Sequence, residues 1–281
     1  MTFVVTLIAL LIERFFDWSH LRRWYWYANY QGAVMRRFPR QSSYTILALT
    51  TIPLLIAVAV IQVILKNPMY GFLELLFQLL IFLYCLGPQN LWADTFACIN
   101  ALVHGDSQSA AEKLKISFGV TDAASMQSLH GQLLDNIFIA ANRRVFAVVF
   151  WFIVIGPVGA VLYRAVTLSS SGFPKHEAVP ELVQSARSVE SVLDWIPIRL
   201  FTWMFALGGH FVKVVSCWRK KAVFTLDVNE KLLTDCGAAA LGSDDSEHVR
   251  EDGSVERSAV GLLDRAFVIT LVIIAIVVLL I

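Results

Sequence analysis

Charge is scarce in this chain. Only 16% of its 281 residues are Asp, Glu, Lys or Arg, against about 25% in soluble domains. The signs nearly cancel, leaving a formal net charge of +1. A nucleic-acid partner is not expected, because the basic residues sit in short clusters beside apolar runs and form no broad field. Cysteine is scarce too. Cys85, Cys98, Cys217 and Cys236 show neither a CxxC pair nor metal-ligand spacing, so a disulfide framework and a zinc site have no support. His20, His104, His130, His176, His210 and His248 are too dispersed for a metal cluster. The chain has no phosphate-binding GxxxxGK[ST], no HExxH and no GxSxG, and neither a metal nor a cofactor is expected.

Apolar residues are what abound. They make up 57% of the chain, and the mean hydropathy is +0.64, more than a water-soluble fold of this length can bury. A membrane helix needs about 20 mainly apolar residues. Six stretches approach that: 1–16, 44–65, 70–86, 145–168, 195–217 and 266–281. The first has no basic leader, and Glu13, Arg14, Phe15 and Phe16 stand where a cleavage site needs small residues, so it reads as a retained helix. The second and third, separated by Lys66, Asn67, Pro68 and Met69, read as a tight hairpin. The fourth holds Gly156, Pro157 and Gly159 near its centre, which predicts a kink, a broken helix or a re-entrant segment.

Cytoplasmic loops carry an excess of Lys and Arg. With six crossings, segments 13–43, 89–144 and 213–265 share one side and hold 18 basic residues, against Lys66, Lys175 and Arg187 on the other. If the fourth and fifth stretches dip in and return, 169–194 joins the basic side. The expected fold class is therefore all-α: a polytopic integral membrane protein with four to six membrane-embedded helices and a cytoplasmic helical insertion. Its organisation reads as membrane helices and a basic, aromatic loop over 1–86, amphipathic cytoplasmic helices over 87–144, two embedded segments over 145–217, a cytoplasmic loop over 218–265 and a last membrane helix over 266–281. Residues 243–257 read as a flexible loop. The lipid bilayer is the expected partner, and homo-oligomerisation is left open.

Ionisable groups inside apolar stretches mark sites. Glu74, Arg164 and Arg199 qualify, with Glu74 placed to pair with either arginine. Against this stands the plainer role of helix-end groups reaching headgroups. His210, in FALGGHF, is a further candidate, because histidine is easily retuned by such surroundings. Trp24, Tyr25, Trp26, Tyr27 and Tyr30 beside Arg22 and Arg23 suit a lipid headgroup surface.

IERFF at 12–16, ANRRVFAVVFWFIVIGPVGAVLYR at 141–164, and LDWIPIRL followed by ALGGH within 193–210 resemble the AmpE family, bacterial inner-membrane proteins associated with β-lactamase induction. That family is in turn similar to the cobalamin-biosynthesis membrane synthases that join an aminopropanol phosphate to a corrinoid acid. The synthases' Asp-Pro and Pro-His-Pro-Val element has no counterpart in 17–39. Their Asn-Thr-x-Asp after Tyr-[Lys/Arg]-Ala-Val is replaced by Thr167, Leu168, Ser169 and Ser170, and their paired acids correspond to Glu190 and Ser191 ahead of Asp194, Pro197 and Arg199. Arg143 and Arg144 stand where another acidic group is expected. Loss of these carboxylates removes the groups that would hold magnesium and offset phosphate charge. Glu190, Asp194 and Arg199 are left as a reduced remnant, set either to bind an anionic ligand or to cap and orient the fifth helix. The resemblance implies a regulator of the inner membrane, coupled to cell-wall recycling through a cytoplasmic partner such as the muropeptide amidase. A membrane transferase with altered substrate is the alternative. A small transporter has only Glu74 and the Gly-Pro break behind it.

Overall fold

The helices begin and end where the local chemistry dictates. Ser42 accepts a hydrogen bond from the Thr45 amide, Asn90 from the Trp92 and Ala93 amides, and Asp106 from the Ser109 amide, each satisfying donors that open a helix. Pro157 and Pro180 stand first in their helices, where the missing amide costs nothing. The structure is a computed structural model, and it describes residues 2–15, 24–66, 71–87, 90–120, 126–171, 179–221, 226–242 and 252–280.

In chain order the α-helices are α1 (Thr2–Phe15), α2 (Tyr25–Arg37), α3 (Ser43–Leu65), α4 (Gly71–Cys85), α5 (Leu91–Val103), α6 (Ser107–Phe118), α7 (Met126–Ala141), α8 (Ala147–Ile155), α9 (Pro157–Ser171), α10 (Pro180–Gly208), α11 (Phe211–Lys221), α12 (Asn229–Ala240) and α13 (Ser254–Leu280). A π-helical turn, Asn142–Phe146, joins α7 to α8. Among the described residues there is no strand. Segments Ser43–Leu65, Gln127–Ile155 and Ser254–Val277 are long and apolar enough to cross a membrane, and Gly71–Cys85 and Leu91–Val103 are shorter apolar helices. Ile52, Ile56, Val60, Val63 and Ile64 leave much of α3 exposed as a purely aliphatic surface, a face suited to lipid and not to water. The chain is an all-α membrane protein.

Two compact units divide it: residues 1–88 with 147–194, and 89–146 with 195–281. In the first, α9 is central, packed by α8, α3 and α4, with α1 on α4 and α2 on α3. In the second, α7 is central, packed by α5, α6, α12 and α13.

The fourth apolar stretch is broken where expected. Gly156 takes φ +82°, a left-handed conformation that suits glycine, and the chain folds back on itself there. A Cβ on Gly159 would lie 2.3 Å from the Trp151 carbonyl oxygen, eight residues earlier, so α9 crosses directly over α8. The first half of this stretch continues without interruption from α7.

Three expectations change. The fifth stretch starts earlier, since α10 begins at Pro180 inside what reads as a polar loop, and it stops at Gly208 before α11 resumes at Phe211. The early turns form because Leu182 and Ala186 bury against Val34, Ile46 and Leu47, a stripe of only a few apolar residues. Asp194 consequently lies inside α10 and caps no helix. The expected cytoplasmic loop of 218–265 contains α12, and α13 starts at Ser254. The hairpin turn at 67–69 and most of the flexible loop, 243–251, lie outside the described residues.

Candidate functional site

The buried face of α9 carries a cluster of polar groups in the first unit: Tyr163, Arg164, Thr167, Ser169 and Ser170 are all buried. Helix formation puts Tyr163, Thr167 and Ser170 on one side at spacings of three and four. Tyr163 donates to Asp194 Oδ1 at 2.8 Å. Asp194 and Glu190 lie one turn apart on α10, both buried, so the fold brings two sequence-predicted acids onto the same helix face. Asp194 is tied to α9 through this phenol.

Arg164, 3% exposed, sends its Nε to the carbonyl of Cys85 at 2.6 Å. Cys85 is the last residue of α4, where carbonyls have no helical partner and the helix dipole is negative. The guanidinium therefore closes the end of α4, and its burial follows from that task. Glu74 has a different neighbour from the arginine expected: Gln78, one turn along α4, donates to its Oε1 at 3.0 Å.

A second polar group in this unit goes unforeseen in the sequence. Gln31 Nε2 donates to Ser169 Oγ at 3.0 Å, and the Tyr27 hydroxyl lies 3.4 Å from Thr51 Oγ1 and 3.5 Å from Ser169 Oγ. The available signal was Tyr27 and Gln31, four apart on a helix that the aromatic content made look purely interfacial.

Prolines shape the same region. Pro53 and Pro197 stand inside α3 and α10, and each deprives the carbonyl four residues earlier of its donor. Tyr30 Oη donates to the Leu49 carbonyl at 3.3 Å, and Trp151 Nε1 to the Leu193 carbonyl at 3.2 Å. Both deficits are met by a side chain from a neighbouring helix.

In the second unit Arg199 stacks over the Trp195 ring, 4.1 Å from its centroid, and donates to the Trp195 carbonyl and to Asn229 Oδ1. His210 is exposed at the α10–α11 junction; its amide donates to the Ala240 carbonyl at 3.0 Å, and its ring lies against Gly242. Arg144, in the π-helical turn, donates to Asp94 Oδ2 at 2.9 Å and to the Ser117 carbonyl, and lies over the Phe118 ring. It joins α5 and α6 to the central helix. Among the described residues no three His, Cys, Asp or Glu side chains converge on a metal position.

The segments that carried the resemblance thus include the fold-back at Gly156 and the proline of α10. The family model described as "Regulatory signalling modulator protein AmpE" matches residues 1–281. The chain belongs to the AmpE family. "Protein AmpE" of Shigella flexneri is 26% identical over 226 residues, 78% of each chain. "Cobalamin biosynthesis protein CobD" of Chromobacterium violaceum is 30% identical over 176 residues, 60% of this chain and 55% of that one. The protein of the same name from Stutzerimonas stutzeri is 31% identical over 109 residues, 38% of this chain and 36% of that one. The chain spans about half or less of these two cobalamin-biosynthesis relatives. No solved structure matches it. For an AmpE-family chain, the buried acids and arginine of the first unit are the groups to weigh.

Proposed function

We propose that this chain is a multi-pass regulatory protein of the bacterial inner membrane, acting in β-lactamase induction and cell-wall recycling through a cytoplasmic partner such as the muropeptide amidase, and without synthase activity. The observation that carries the reading is the family match over the entire chain. Support against synthase chemistry comes from the sequence, where carboxylates expected to hold magnesium are replaced. The geometry adds that Asp194 is bound to Tyr163 and that Arg164 closes α4. In this reading the acids and arginine hold α4, α9 and α10 in register, and Glu190, Asp194, Arg164, Glu74, Arg199 and His210 serve packing or an anionic ligand ahead of catalysis. The basic connectors face the cytoplasm.

A membrane transferase with altered substrate is the second reading. It is favoured by Glu190 and Asp194, two buried acids one turn apart, and by the partial identity to the cobalamin-biosynthesis proteins. One pair of measurements separates the two. Deletion of the chromosomal copy should weaken β-lactamase induction by a β-lactam, with recovery on complementation by wild type and by the Glu190→Gln, Asp194→Asn double variant. An unchanged induction profile would sink the regulatory reading. Failure of the double variant to restore induction would favour the transferase with altered substrate, whereas growth of a synthase-deficient cobalamin auxotroph on this chain would establish that the synthase activity itself is retained.

A further inference from the structure

Two thiols of the second unit stand in contact. Cys217 Sγ on α11 and Cys236 Sγ on α12 are 3.3 Å apart, and both are free. The helices that carry them are fastened at both ends of this contact. On one side the His210 amide donates to the Ala240 carbonyl at 3.0 Å and Lys213 Nζ to the Gly242 carbonyl at 2.8 Å. On the other, Lys221 Nζ meets Asp235 Oδ2 at 2.6 Å. A disulfide needs about 2.05 Å between sulfurs, so bond formation requires closure of little more than an ångström within a pair of helices already held together.

We infer that Cys217 and Cys236 form an oxidation site, in which a hydroperoxide converts the thiol contact into a reversible disulfide joining α11 to α12. The two thiols have unequal surroundings, which sets the order of events. Cys217 is partly exposed and Cys236 fully buried. Burial, the neighbouring Cys217 and Asp235 push the Cys236 thiol upward. Cys217 therefore meets the oxidant first, because the thiolate is the nucleophile and access governs its reaction. Its thiolate attacks the terminal oxygen of the hydroperoxide, the O–O bond breaks, the alcohol leaves with a proton, and Cys217 becomes a sulfenic acid. Cys236 then gives up its proton and attacks the Cys217 sulfur, the S–O bond breaks and water leaves. Two thiols are oxidised by two electrons, and one hydroperoxide is reduced to alcohol and water. A dithiol reverses the reaction by thiol–disulfide exchange. On the cytoplasmic placement of the basic connectors given under Proposed function, which takes in 213–265 and so both thiols, the pair stays reduced until oxidant rises.

The test uses the reduced, detergent-solubilised full chain, treated with graded tert-butyl hydroperoxide, then denatured and labelled with a maleimide-polyethylene glycol. Wild type should pass from four labelled thiols to two, regain four after dithiothreitol, and yield a cross-linked peptide pair containing Cys217 and Cys236. Cys85 and Cys98, both buried, serve as internal references. Cys236→Ser should accumulate a dimedone adduct on Cys217, and Cys217→Ser should keep three labelled thiols. Retention of four thiols in wild type, while a free small-molecule thiol in the same tube is consumed, overturns the inference, as does a bond to Cys85 or Cys98. These readouts need no regulatory activity, so their failure is separate from failure of the functional reading. A Cys217–Cys236 bond already complete in unstressed cells overturns the switch and the cytoplasmic placement together.

Discussion

Arg164 and Gly159 show how single residues hold the broken fourth stretch in place. Replacing Arg164 by Met leaves the Cys85 carbonyl buried without its guanidinium, and hydrogen bonds to charged groups are worth about 1.5–3 kcal/mol. A loss of that order is expected in detergent unfolding, with Arg164→Lys falling between, because lysine keeps the charge but lacks the planar fork. Equal stability of all three proteins would remove the capping role. Gly159→Ala is expected to destabilise by about 1–3 kcal/mol, the usual cost of overpacking, because the new Cβ meets backbone 2.3 Å away and no flexible side chain can yield. Unchanged unfolding would mean that α9 does not cross α8 so closely. The sequence exposed Gly156, Pro157 and Gly159 as a break because proline and glycine act locally. It left Tyr163 unmarked, because a phenol reaching Asp194 depends on two helices meeting.

Between elements, α7 and α13 share a buried pair that nothing in the sequence brings together. His130 Nδ1 lies 2.5 Å from Glu256 Oε1, and the remaining Nε2 and Oε2 are buried without a hydrogen-bond partner among the described residues. Removing one member strands the other, so His130→Leu and Glu256→Leu should each cost about 3–5 kcal/mol. The double replacement should cost clearly less than the sum, as expected for groups in contact. Additive losses in the double-mutant cycle would show that the two do not act as a unit. At α6, the Ser109 hydroxyl and amide hold the Asp106 carboxyl below its ordinary value of 3.8. A lowered value in the folded state favours folding above 3.8, and that contribution disappears as the pH falls further. Protection of the 107–110 amides, taken relative to their intrinsic exchange at each pH, should therefore fall in acid, and Asp106→Ala should show the lower protection at every pH. Helix α6 and the start of α7 were legible from apolar periodicity, which is a property of each segment alone. The early turns of α10 were not, because their stripe is short and gains its hydrophobic character only against α2 and α3.

For the whole molecule, the abundance of apolar residues and the shortage of charge were enough to read an all-α membrane protein, since lipid leaves few alternatives to helices. The candidate site was legible only in part. Glu190 and Asp194 could be marked only through the resemblance to the synthases' paired acids, and the tie of Asp194 to Tyr163 and the use of Arg164 on α4 are tertiary facts. The side of the membrane taken by 169–194 follows from neither length nor composition. The fold-back at Gly156 argues that the fourth stretch returns to the face it left, which would put this segment with the basic connectors. Ser188, exposed on α10, offers the test. In a background lacking the four native cysteines, Ser188→Cys should react with a permeant maleimide and resist an impermeant one applied outside the cell. Labelling by the impermeant reagent would mean that the broken stretch as a whole crosses the bilayer once, and that six crossings, not four, describe the chain.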